Sequence, residues 1–199
     1  MATIKQNVLT TLASTHVKWI NFTLANRMMS PILYWSLYGV VDNNTITCKV
    51  DDSLTDTAFY DATNNQIIAS RGYGDTYFYQ QALLIHECSH AILDHYYNGR
   101  DMNNNKKAPG ITVLTDETIA YLAQAFYLVG AKGNMPSNSA APDYQAVKIV
   151  RPKLEAIMNK GWSGCDTIHF TATDVADLHT AIKADPHYSD WAQTAVHNG

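Results

Sequence analysis

The run Leu83-Leu84-Ile85-His86-Glu87-Cys88-Ser89-His90-Ala91-Ile92-Leu93 sets two imidazoles and a carboxyl into an otherwise apolar stretch. Burying three ionisable groups is costly unless something compensates them, so this feature constrains the fold more than any other. The stretch has no Gly or Pro and predicts a helix over about 76–97, with Asp75 as its cap. On a helix, four residues advance the chain by about 400°, so His86 and His90 leave one face about 6 Å apart along the axis. Two nitrogen donors stacked in this way can share one tetrahedral cation. Glu87 stands about 100° further round, beside such an ion, where it can move protons between a bound water and a leaving group. With 8 histidines and 3 glutamates in 199 residues, this spacing is expected by chance about 0.005 times. A core helix with two hydrogen-bonded histidines is the competing reading, and a metal ion removes the burial cost that such a helix would carry.

Catalytic zinc takes three protein ligands and leaves a fourth position for water. Glutamate occurs only at Glu87, Glu117 and Glu155. Glu117 lies in Asp116-Glu117-Thr118-Ile119-Ala120-Tyr121, in the first turn of a helix predicted from Thr115 to Val129, and is the candidate third ligand. Its plainer role would be to complement the helix dipole, but Asp116 can fill that role. Asp94 is a rival ligand one turn beyond His90 on the same helix. A further ~6 Å of rise carries it away from the same ion, so it is expected to support the site or face solvent.

His86-Glu87-x-x-His90, followed by a downstream helix with Asp116-Glu117-x-x-Ala120-Tyr121, resembles the zincin metallopeptidases of the gluzincin type. The resemblance spans about residues 57–130. It implies zinc as cofactor, His86, His90 and Glu117 as its ligands, and Glu87 as general base. The implied reaction is hydrolysis of a peptide (amide) bond by a Glu87-activated, zinc-bound water. A hairpin read at 57–69, turning at Asn64-Asn65, is similar to the strand that lines the substrate cleft in such proteins. The glycine and third histidine of metzincins are absent, since Ala91-Ile92-Leu93-Asp94-His95 follows His90. Many gluzincins place an Asp four residues after the ligand glutamate to orient the first histidine. Tyr121 holds that position here, which leaves Tyr121, Asp94 and Asp116 as candidate orienting groups. A developing oxyanion needs a donor, and Tyr121, His169, His179, His187 and Tyr188 are the candidates.

The remaining sequence sets the frame. A length of 199 residues with 46% hydrophobic side chains suits one domain with one sizeable core. A net charge of −4 offers no basic surplus for a phosphate backbone, so no nucleic-acid partner is expected. Nothing approaches the ~18 consecutive apolar residues of a membrane span. The N-terminus lacks a basic-then-apolar signal, which predicts a cytoplasmic protein or one exported without a cleavable signal peptide. Cys48, Cys88 and Cys165 are odd in number and far apart, and read as reduced thiols. Apolar spacing predicts one or two helices over 4–29, a strand at Thr45–Val50, and helices at about 143–160 and 173–184, with a loop over Asn98–Gly110.

The expected fold is α+β: one mostly helical zincin-like domain over 1–199 with a small β-sheet or hairpin before the active-site helix. Its active-site core would span about 57–130 and its helical C-terminal part about 143–199. The expected function is that of a zinc metallopeptidase acting on a peptide or protein substrate, its small size suggesting a specific-target effector or toxin. The alternatives are a catalytically silent zinc-binding interaction module and a cell-wall peptide amidase.

Overall fold

The computed structural model describes residues 2–75, 77–97, 111–133, 136–161, 166–186 and 188. Over these residues the chain forms six α-helices and two three-stranded sheets, the mostly helical α+β architecture expected. The polar run Asn98–Gly110 and Cys165 lie outside the described residues.

Helix α1 (Ile4–Leu12) opens with a capping box. The Thr3 hydroxyl accepts from the Gln6 N–H at 3.2 Å, and the Gln6 side chain accepts from the Thr3 N–H at 2.8 Å. The helical reading of 4–29 holds only at this end. After a short 3₁₀ turn at Val17–Trp19, the chain forms a hairpin of β1 (Phe22–Leu24) and β2 (Arg27–Met29). Ala25 and Asn26 both take positive φ, the left-handed pair that matches a two-residue hairpin turn to strand twist. Helix α2 (Pro31–Asp42) starts with Pro at a position where its missing N–H costs nothing.

Strands β3 (Thr47–Val50), β4 (Ala58–Asp61) and β5 (Gln66–Ala69) form the sheet that borders the site. β4 and β5 are the expected antiparallel hairpin. The Asp61 carboxylate accepts the N–H groups of Thr63 and Asn64, and Asn65 takes a positive φ to close the turn. β3 pairs in parallel with β5, so among the described residues the order β3-β5-β4 leaves β4 as an edge.

Helix α3 (Phe78–Ile92) runs on into one π-helical turn at Leu93–Tyr97. Tyr77, not Asp75, occupies its N-cap position, and no side chain caps it. Helix α4 (Val113–Gly130) begins two residues before the expected start, because the Thr112 hydroxyl caps it by accepting from the Thr115 N–H at 3.2 Å. Helices α5 (Pro142–Lys160) and α6 (Ala176–Ala184) follow. Thr171 and Asp174 bond each other's backbone N–H groups ahead of α6, which delays its start. The two-residue strand β6 (Ile168–His169) returns to pair in parallel with β1.

α4 is the centre of the fold. Apart from Leu114, Thr115 and Tyr121 it is buried along its whole length, as suits a helix packed against α3, α5 and α6. Phe126 stacks on Phe22 with ring centroids 5.2 Å apart and planes 4° from parallel, tying α4 to the first sheet. A side chain at Gly130 would strike the Trp19 ring, so glycine permits that close approach. No helix among the described residues is long and apolar enough to cross a membrane.

Phe126→Ala removes a fully buried ring from this junction. It is expected to cost about 3–5 kcal/mol. Urea unfolding should show the midpoint falling at an unchanged slope.

Candidate metal centre

The four-residue spacing on α3 and the first turn of α4 bring His86, His90 and Glu117 together, with one donor atom of each lying within 4.8 Å of the others. His86 Nε2 is 3.3 Å from Glu117 Oε2, and His90 Nε2 is 3.6 Å from Glu117 Oε1. Donor atoms on one tetrahedral zinc stand about 3.3–3.5 Å apart, given bonds of about 2.0–2.2 Å. The two histidine-to-Glu117 spacings are close to that value, one to each carboxylate oxygen, while the full set spans up to 4.8 Å and would draw in slightly around an ion.

His86 Nδ1 faces the Gln124 carbonyl oxygen at 3.1 Å, and His90 Nδ1 faces the Asp116 carboxylate at 2.7 Å. Both contacts are to acceptors, so each Nδ1 carries a proton and each Nε2 is the atom left to face Glu117, with a lone pair there whenever the ring is neutral. Glu117 Oε2 is buried and has no hydrogen-bond partner. Lone pairs on two nitrogens and a carboxylate facing one another in a buried space call for a cation.

Without metal, a proton is the cation available. Burial lowers the basicity of His90, but Asp116 and Glu117 outweigh it and raise the imidazole to about 10. Burial likewise disfavours the Glu117 carboxylate, yet His90 and His86 outweigh it and hold its pKa at about 2.

No family model matches this chain, and no curated protein or solved structure is significantly similar to it. Function is therefore read from the site's own geometry.

The candidates named from sequence separate clearly in space. Asp116 is the group that orients His90. Tyr121 bonds neither histidine and instead sets its ring edge-on against His86, with centroids 4.5 Å apart. Asp94 is outside the ligand group, and its Oδ2 accepts from the Tyr60 hydroxyl at 2.8 Å. Gln124, which bonds His86, was not anticipated. It stands seven residues after Glu117, two turns along the same face of α4, and that spacing is the signal that could have found it.

Glu87 faces a cleft of about 470 Å³ bordered by β4, α3 and the start of α4. Its Oε2 accepts the Tyr60 N–H from edge strand β4 at 2.8 Å. Burial pushes the Glu87 carboxyl pKa up, against the opposing pull of His86 and His90. Of the oxyanion candidates, Tyr121 and Tyr188 line this cleft, with hydroxyls 3.5 Å apart. Burial raises both phenols well above their ordinary range, so both keep their protons at neutral pH. His169 lies on β6 and His179 on α6, neither of them lining the cleft, and His187 is outside the described residues.

The purified protein should hold about one zinc per chain by elemental mass spectrometry. His86→Ala and Glu117→Ala should lose it, and Asp94→Ala should keep it. Asp116→Ala and Gln124→Ala should each weaken zinc about 10–100-fold in competition with a chromogenic chelator. Because His90 enters binding as an imidazolium, zinc uptake should release about one proton at neutral pH. Affinity should then rise with pH toward about 10. Calorimetry in two buffers of different ionisation enthalpy measures that proton.

Proposed function

We propose that this chain is a zinc-dependent metallopeptidase that hydrolyses a peptide bond in a peptide or protein substrate. The observation that carries this reading is a set of three converging donors, His86, His90 and Glu117, with a separate half-buried carboxyl, Glu87, on the same cleft. Three protein ligands are the pattern of a catalytic zinc, whereas structural sites close all four positions with protein. Zinc bound there would supply Lewis acidity toward a scissile carbonyl and lower the pKa of water.

The chain's own residues supply the rest. The raised pKa of Glu87 suits a group that takes a proton from the attacking water and returns it to the leaving amine. The Tyr60 N–H holds one of its oxygens, which leaves the other for that exchange. The Tyr188 hydroxyl already bonds the Glu117 carboxylate, so the protonated Tyr121 hydroxyl beside it is the phenol to donate to an oxygen that gains charge. Edge strand β4 offers backbone groups that an extended peptide can pair with, a mode of recognition suited to a peptide substrate. A purely structural zinc site has no use for Glu87, which weighs against a silent interaction module.

The test is digestion of a complex peptide mixture by the zinc-loaded protein, read by mass spectrometry. Glu87→Gln should keep its zinc while cleavage falls by about 10²-fold or more. Cleavage that persists undiminished in Glu87→Gln would sink the reading.

A further inference from the structure

We propose that Asp94 forms a subsite for a cationic group of the substrate, an ammonium or guanidinium carried within one or two residues of the scissile bond. The proposal deepens the metallopeptidase reading and rests on it for the identity of the substrate. The described residues lining the cleft include four acids, Glu87, Asp94, Asp116 and Glu117, and neither Lys nor Arg. Three of them already have roles. Glu117 belongs to the ligand group, Asp116 holds His90, and Glu87 serves as base. Asp94 remains.

Asp94 is only 4% exposed, and its Oδ1 is buried without a hydrogen-bond partner. Its Oδ2 accepts from the Tyr60 hydroxyl, which has a second acceptor in Asn65 Oδ1 at 3.0 Å. Anchoring Tyr60 thus uses one oxygen of Asp94, and a neutral amide would serve equally well. The charge and the second oxygen are left over. An unpaired buried carboxylate oxygen is costly, and the ion pairs among the described residues give Asp94 no cation. A substrate cation entering the cleft would supply what is missing.

Position along the helix sets where that cation sits on the substrate. Asp94 follows His90 by four residues, past the end of α3 and into its π-helical turn, a rise of about 5–6 Å. An extended peptide advances about 3.3 Å per residue, so the distance covers one to two residues from the reacting carbonyl. Tyr60, which binds Asp94 through its hydroxyl and Glu87 through its N–H, lies on the strand along which such a peptide would run.

The cation could be a basic side chain or a free α-amine, and the experiment separates these sources. Zinc-loaded Glu87→Gln protein, which should not hydrolyse the probes, is titrated by NMR with four small compounds. They are the methylamides of Nα-acetyl-lysine, Nα-acetyl-norleucine and Nα-acetyl-glutamate, and norleucine methylamide with a free α-amine. The lysine compound, the free-amine compound or both should bind about tenfold tighter than the neutral acetyl-norleucine isostere, with the glutamate compound weakest. Which of the two gains identifies the source. Adding Asp94→Asn, which keeps an acceptor for Tyr60, should abolish the gain. Equal behaviour of charged and neutral compounds, including no binding by any, overturns the proposal without reference to any variant. A preference that survives Asp94→Asn also overturns it.

Digestion of a peptide mixture by the wild-type protein tests the underlying reading separately. Cation selectivity with no peptide cleaved would leave the subsite standing and remove the metallopeptidase reading. Cleavage with no bias toward basic residues or free amino termini would do the reverse.

Discussion

Glu117 reaches His86 and His90 because α4 packs along α3, and α4 is held there by burial on almost every side. The contact has an apolar part and a charged part on the same pair of helices. The apolar part includes Phe126, which also stacks on Phe22 of β1. The polar part lies along the N-terminal two thirds of α4, where Asp116, Glu117 and Gln124 all turn toward α3. Dispersion and desolvation of the apolar length offset the cost of bringing these polar groups out of water.

Within the site, hydrogen bonds orient both histidines and Glu87, while Glu117 Oε2, Gln124 Nε2 and Asp94 Oδ1 have no hydrogen-bond partner among the described residues. The Gln124 carbonyl and the Asp116 carboxylate accept at Nδ1 of the two histidines, which leaves both Nε2 atoms as donors to a metal. The same carboxylates that stabilise a proton on His90 in the metal-free protein would stabilise zinc in its place. β4 fixes the opposite wall, and Tyr60 is its pivot: the backbone holds Glu87 while the side chain reaches Asp94. In the proposed peptidase, an edge strand whose own groups hold Glu87 would couple the place of peptide binding to the place of proton transfer.

Much of this was legible before any fold was known. The four-residue histidine spacing in an apolar run, the hairpin at 57–69 and the helix carrying Glu117 are all short-range patterns. The hairpin of β1 and β2 was not legible, because Ala25-Asn26 is a weak turn signal and the drifting apolar spacing resembled a helix. The parallel pairing of β1 with β6 joins residues about 145 positions apart and leaves no local trace. Asp75 has the chemistry of a cap, yet the chain at Gly74 and Tyr77 starts the helix without using it.

Local periodicity alone determined that His86 and His90 share a helix face with Glu87 beside them, because helical geometry is set by the backbone within a single turn. It also determined that only Glu117, among three glutamates, begins another helix at a plausible distance. Tertiary structure decided the choices that depend on through-space distance. It set Asp116 on His90 and Gln124 on His86, turned Tyr121 edge-on against the ring, and left Asp94 beside Tyr60 with one oxygen unpaired. A side chain's partner is fixed by how two helices and an edge strand pack, and that relation is absent from any single stretch of the chain.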